Sequence, residues 1–304
     1  MAQNTLQEMA REVHLYSGGV APILLTQRWV RDRYRSACEK TLWSFKIGRG
    51  QFFTTTAYST GTVAMTQGSA NVTGTSTVWT TATHDDLQFK VDGFVYTVDS
   101  VSSNTSLTLD RNWEKATTTA STYEIVKAYI TPSNSDFHAF VSVIDPDNGW
   151  RLHTGFTVMD LDLIDSRRTS SSTPTLMAAM PYSSANQQFE MWPSPTTRKQ
   201  YPYIYEKRVA DLSATTDTPH DIVRSDILVK GALADLARWP GTPERKNPFF
   251  DPTFNQWKNR EQEWKEELDR VMVEDQSIMQ TDLSYHHALP YAPLDSKFRQ
   301  NHAF

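Results

Sequence analysis

The chain has 304 residues, 38% of them hydrophobic, and a formal net charge of −5, so it can bury one large core or two smaller ones and has no overall basic surface for nucleic acid. Its single cysteine, Cys38, excludes an internal disulfide framework and a cysteine-based zinc site, and suits a reducing cytoplasm. No apolar run approaches the roughly 20 residues of a membrane-spanning helix, and the opening MAQNTLQEMAREV lacks the basic and apolar regions of a signal peptide, so neither export by that route nor a membrane anchor is expected.

The first zone is helical in spacing. Leu6, Met9, Ala10 and Val13 form a short apolar stripe; Leu25, Trp29, Val30, Tyr34, Ala37, Cys38, Leu42 and Phe45 form a longer one. Ser17-Gly18-Gly19 and Pro22 interrupt them, which predicts a pair of helices. The outer face carries Arg28, Arg31, Asp32, Arg33, Arg35, Glu39 and Lys40 and reads as a solvated face or a subunit contact.

From Gly61 to Ile130 the chain becomes rich in Thr, Ser, Val and Tyr. GTVAMTQ, SANVTG, STVWTT, LQFKV, FVYTVDS, TSLTLD and TYEIVK each predict a strand, with turn signals between them. Val91-Asp92-Gly93-Phe94 predicts a tight hairpin, because Asp-Gly favours positive φ. Closing or doubling such a sheet removes exposed edges, so the expectation is a small antiparallel barrel or sandwich. Trp79, Phe94, Tyr96 and Trp113 read as core at strand spacing, with Trp113, close to Arg111 in a predicted loop, the best candidate for a surface binding platform.

Extended stretches follow near 137–144, 152–164, 176–180, 188–192 and 201–209, broken by prolines at 174, 181, 193, 195 and 202. A helix is predicted from Ile222 to Arg238, stopped by Pro240-Gly241, with Gly231, Ala232, Ala234 and Ala237 as a small-residue surface for close packing. Phe254, Trp257, Glu261, Trp264, Leu268, Val271, Asp275 and Ile278 then step three, four, three, four: a heptad seam with two acidic interruptions. Lys258 with Glu263 and Glu267 with Arg270 solvate its outer face. Such a seam needs a partner, either the N-terminal helix of the same chain or a neighbouring subunit. From Thr281 to Phe304 no period is sustained, yet Tyr285, Leu289, Tyr291, Leu294, Phe298 and Phe304 remain, which suits an extended arm that orders on a partner.

No motif for catalysis emerges. His286-His287 lacks the i, i+4 spacing of helical metal ligands, His84-Asp85-Asp86 sits in a predicted turn, and Asp160-Leu161-Asp162 alternates on a predicted strand. No nucleophile elbow, phosphate loop, dinucleotide fingerprint or zinc-protease motif is present. No catalytic, cofactor-binding or metal-ligating residue is therefore assigned.

The stretch GTVAMTQGSANVTGTSTVWTTATHDDLQFKVDGFVYTVDSVSSNTSLTLDRNWEKAT, with Val72-Thr73-Gly74-Thr75 and Thr105-Ser106-Leu107-Thr108-Leu109, resembles a segment that recurs in phage neck and adaptor proteins and in other phage structural proteins. Phe189 to Pro195, Tyr201 to Glu206, Leu212-Ser213, Thr216 to Pro219 and the helix from Ile222 follow in an order similar to head-to-tail connectors of short-tailed and some long-tailed phages. The resemblance implies an α+β fold: a helical core of N-terminal helices plus two C-terminal helices (1–60 and 131–280), an inserted small antiparallel β barrel or sandwich (61–130), and an extended C-terminal arm (281–304). It further implies a ring of about twelve copies in the virion neck, assembled in the host cytoplasm, contacting the portal protein and a tail, tail-tube or nozzle protein. DNA would pass through the channel without sequence-specific binding, and no cofactor or membrane would be involved. The six aromatic and aliphatic residues of the arm are the expected partner contacts. The alternative is a tail-tube or tail-fibre type virion protein whose β domain binds a receptor or sugar; an enzyme with a site assembled from distant loops is the weaker rival.

Overall fold

The computed structural model describes residues 3–84, 86–181, 187–253 and 255–287, without the side chains of 82, 83 and 278–287. Its chain order begins with α1 (Leu6–Tyr16), α2 (Ile23–Glu39), β1 (Ile47–Phe53), β2 (Thr62–Met65), β3 (Asn71–Thr75), α3 (Thr81–His84), β4 (Gln88–Val91), β5 (Phe94–Ser103), β6 (Ser106–Leu109), β7 (Thr118–Ser121) and β8 (Tyr123–Val126). It continues with β9 (Tyr129–Ile130), β10 (Phe137–Asp145), β11 (Trp150–Thr157), α4 (Val158–Ile164), β12 (Ser171–Ser172), β13 (Leu176–Ala179), β14 (Phe189–Trp192), β15 (Ser194–Pro195), β16 (Gln200–Lys207), α5 (Ser225–Arg238) and α6 (Asn255–His287). Two compact units result, one from the described residues of Met1–Ile47 with Arg208–Pro290, the other from Gly48–Lys207.

The first unit is helical. Thr5 opens α1 with a capping box, its hydroxyl accepting from the Glu8 amide while the Glu8 carboxylate takes the Thr5 amide. Leu6, Met9 and Val13 then point into a core shared with Val30, Tyr34 and Ala37 of α2, Ile227, Leu228 and Leu236 of α5, and Trp264, Leu268 and Val271 of α6. α5 ends at Arg238, just before Pro240-Gly241, and Asn247 Nδ2 donates to the carbonyls of Leu236 (2.8 Å), which also accepts the Trp239 N–H, and of Trp239 (2.7 Å). The seam of α6 packs mainly on α5 rather than on an N-terminal helix. Gly231 makes the approach possible: a Cβ there would stand 2.9 Å from Arg33 Cδ and 3.0 Å from the Trp264 ring.

Both acidic interruptions of the seam have partners. Arg33 sends Nε and Nη2 to Asp235 (2.8 and 2.7 Å), ion-pairs with Glu261 at 2.8 Å, and lies 4.5 Å from the Trp264 ring centroid. Asp275 accepts the Ser44 amide at 2.7 Å and the Ser44 hydroxyl. Arg33, expected on a solvated face, is thus buried, because α5 and α6 close over it.

The second unit corrects the expected fold class. The protein is mostly β, with two large curled sheets, not a helical core carrying a small β insertion. One seven-stranded sheet runs β7-β2-β3-β6-β5-β4-β8 and holds the Thr-rich zone; the other runs β1-β16-β10-β11-β13-β14-β9 and is equally large. Residues read as the mixed remainder of a helical core supply most of that second sheet. Prolines are expected to break these strands, yet Pro202 lies inside β16, beyond the β10 ladder that ends at Tyr203, where a missing donor leaves that ladder intact. Its partner β1 carries Gly48 and Gly50 on one face, and the rings of Tyr205 and Tyr203 fill the space their side chains would occupy, 2.5 Å from any added Cβ.

Two local expectations also change. The half of 152–164 that contains Asp160-Leu161-Asp162 is α4, not strand; Thr157 and Asp160 form a capping box that starts it. STVWTT forms no strand, although Trp79 is buried and donates its indole N–H to Tyr123 Oη at 3.0 Å. The hairpin stands as read: Val91 pairs with Phe94, and Asp92 and Gly93 take φ of 48° and 76°.

Candidate functional site

Within the second unit a buried polar cluster joins the Thr-rich seven-stranded sheet to a third, two-stranded sheet of β12 and β15. Lys90, on β4, donates from Nζ to Ser194 Oγ (2.8 Å), Ser171 Oγ (3.0 Å) and the Ser170 carbonyl (3.1 Å). Ser171 and Ser194 are placed by the parallel pairing of β12 with β15. The Ser171 hydroxyl donates onward to Glu124 at 2.6 Å. Arg168 closes the neighbouring side, reaching Glu190 at 3.0 Å and Asp162 at 2.8 Å.

Burial pulls the Lys90 ammonium down to about 8, against the opposing pull of Glu124, Asp165 and Glu190. Burial likewise raises the Glu190 carboxyl, which Arg168 counteracts. Asp165 is pushed up by burial but brought to about 2 by hydrogen bonds from Trp192 and Ser170. A lysine beside two serines has the composition of an activated-nucleophile pair. Here Lys90 and Ser194 are both buried, and all three ammonium protons already have acceptors, so no reacting carbonyl can approach. The cluster is a fastening between sheets.

Beside it lies a cavity of about 390 Å³, walled by β5, by Asp110-Arg111, by Tyr129 and by residues 166–168. Exposed apolar side chains concentrate at two places. Leu15, Tyr16, Ile23 and Leu24 flank the turn between α1 and α2, and Met159, Leu163 and Ile164 project from α4, Leu163 with 89% of its surface exposed.

The partner-contact residues expected in the C-terminal segment are placed only in part. α6 runs on to His287, which puts Tyr285 on a helix with its side chain outside the described residues; Leu289, Tyr291, Leu294, Phe298 and Phe304 lie outside the described residues altogether. Trp113 is not a surface platform: it is fully buried, its indole N–H bonded to the Ala116 carbonyl at 3.0 Å. Trp79 and Tyr96 are core as expected, and Phe94 is the half-exposed member. His84 ends α3 with its ring against Tyr58, and burial lowers its pKa. Among the described residues no group of three or more His, Cys, Asp or Glu side chains could hold a metal.

Lys90, Ser171, Ser194 and Gln88 were not legible as a group, because they come from separated strands and match no motif. The one local hint is in LQFKV, where Gln88 and Lys90 share the strand face opposite Phe89 and Val91; both faces are buried. No protein-family model matches the chain, and a search of curated proteins finds no significant match.

Proposed function

We propose that the chain is a non-enzymatic structural subunit of a bacteriophage particle, a head-to-tail adaptor that works as one copy in a ring and leaves a channel for DNA. The sequence resemblance over the Thr-rich zone and residues 189–222 suggests it. The observation that carries it is the apolar corner of Leu15, Tyr16, Ile23 and Leu24, exposed on an otherwise well-packed helical unit, as a lateral subunit contact would require. An acidic balance of −5 suits a channel through which DNA slips without sticking. The apolar residues from Tyr285 to Phe304 suit an insertion contact with the portal, where burial of aromatic anchors offsets the cost of ordering.

The test is native mass spectrometry of the full chain, the Leu24→Asp variant and a chain ending at His287, each with and without purified portal rings. The adaptor reading expects the full chain to form a ring or to load onto the portal, Leu24→Asp to lose lateral assembly, and the shortened chain to lose portal binding. A full chain that stays monomeric and ignores the portal refutes it.

A further inference from the structure

A cyclic ring of more than two copies repeats one heterologous contact, in which a surface of each copy meets a different surface of the next. The apolar corner of Leu15, Tyr16, Ile23 and Leu24 supplies one of the two. Among the described residues, the exposed large apolar side chains outside that corner are Met159, Leu163 and Ile164, together on α4, and Phe53, Val78, Phe94 and Val273, each on a separate segment. Among the described residues α4 is thus the second place where such side chains gather into one surface.

α4 presents that surface already fixed. Leu161 is buried with Leu176 and Ala178 and anchors the inner face, while Met159 and Leu163, four residues apart, share the outer one. The capping box of Thr157 and Asp160 holds the first turn, and Arg168 donates to the Val158 carbonyl at 3.2 Å and to Asp162 at 2.8 Å. Little ordering is left to do when a partner covers it. Charge points to the corner as that partner. α4 carries Asp160 and Asp162, the latter with 59% of its side chain exposed. Arg11 and Arg28 stand one helical turn from Leu15 and Leu24, against the exposed Glu12. The Arg28–Asp32 pair is exposed and 3.7 Å apart, so Arg28 gives up little by turning to a new carboxylate.

We propose that α4 of one copy seats against the α1–α2 corner of the next, Met159, Leu163 and Ile164 on Leu15, Tyr16, Ile23 and Leu24, with Asp162 facing Arg28, and that this is the head-to-tail joint of the ring. The inference rests on the adaptor reading for the corner's role and names the surface that the corner meets. A corner that met the same corner of a second copy would be self-complementary, would stop at a dimer and would bring its arginines face to face.

The experiment is native mass spectrometry of the full chain, of Leu163→Asp, of Leu24→Asp and of an equimolar mixture of the two variants, with and without purified portal rings. Both leucines are largely exposed, so each variant should keep the fold, which far-UV circular dichroism checks. Each variant alone should need at least about tenfold more protein than the unaltered chain to assemble. The mixture should form pairs holding one copy of each variant and stop there, because the intact α4 of Leu24→Asp fits the intact corner of Leu163→Asp and both outer ends are blocked. If the full chain assembles, then assembly of Leu163→Asp to the same extent, or a mixture without mixed pairs, overturns the inference and leaves the adaptor reading standing. A full chain that neither assembles nor loads onto the portal overturns the adaptor reading itself, and the inference with it.

Discussion

Replacing Arg33 with methionine tests the helical unit at its most charged point. Methionine keeps the apolar stem that packs on Gly231 and Trp264 but removes the guanidinium from Asp235 and Glu261. The Arg33 side chain is 10% exposed and its partners 19% and 17%, so water can replace only part of what is lost. Breaking a buried ion pair on one side costs about 3–5 kcal/mol. The residual exposure of both carboxylates puts the expected loss at the low end, about 3 kcal/mol, a large share of a domain's roughly 5–15 kcal/mol.

The pH dependence supplies a second readout. Burial alone would raise the Glu261 carboxyl, but Arg33 outweighs it and holds the group below its ordinary value of 4.5. In the native protein this stabilisation is present above pH 4.5 and is lost as the pH falls through the lower folded value. In the variant burial is opposed only by Arg238 and Lys265, so the folded value is higher than in the native protein, and the penalty is greatest at neutral pH and relieved on acidification. The stability gap between the two proteins should thus be widest at pH 7 and narrower at pH 5. Urea unfolding followed by far-UV circular dichroism, which weights the helices, measures it. A gap below about 1 kcal/mol at pH 7, or an equal gap at both pH values, would refute the reasoning.

Three further outcomes follow from the packing. Trp113→Ala should destabilise the second unit by about 3–5 kcal/mol in denaturant unfolding, since the ring is fully buried; a loss under about 1 kcal/mol would return it to the surface. Gly50→Ala forces a methyl group to within 2.5 Å of the Tyr203 ring and should cost about 1–3 kcal/mol in the same assay, whereas Gly68→Ala, with open space around it but a positive φ, should show backbone strain alone. Cys38 is buried, and burial pushes its thiol up to about 11, so alkylation at pH 8 should run at least about a hundredfold slower than for an unperturbed thiol. Fast alkylation of the native protein would show that α2 opens readily.

The stripes of α1 and α2, the heptad seam of α6 and the Asp92-Gly93 hairpin were legible in the sequence because their causes are local. Buried residues repeat every three or four positions, and an Asp-Gly pair takes positive φ whatever lies far away. The capping box of Thr157 and Asp160 was equally local, and alternation of Asp160 and Asp162 hid it. The size of the second sheet was not legible, since β1 and β16 are neighbours across some 150 residues of chain. Nor was the Lys90 cluster, whose serines reach one ammonium only after β12 and β15 pair.

By itself, then, the sequence determined where most helices and strands of this protein lie, because those choices are made by side chains a few positions apart. Tertiary structure alone decided that two sheets of equal size dominate the fold, and that Arg33 and Trp113 are buried. Those outcomes depend on which distant segments close over a residue, and burial by a distant segment leaves no short-range period to read.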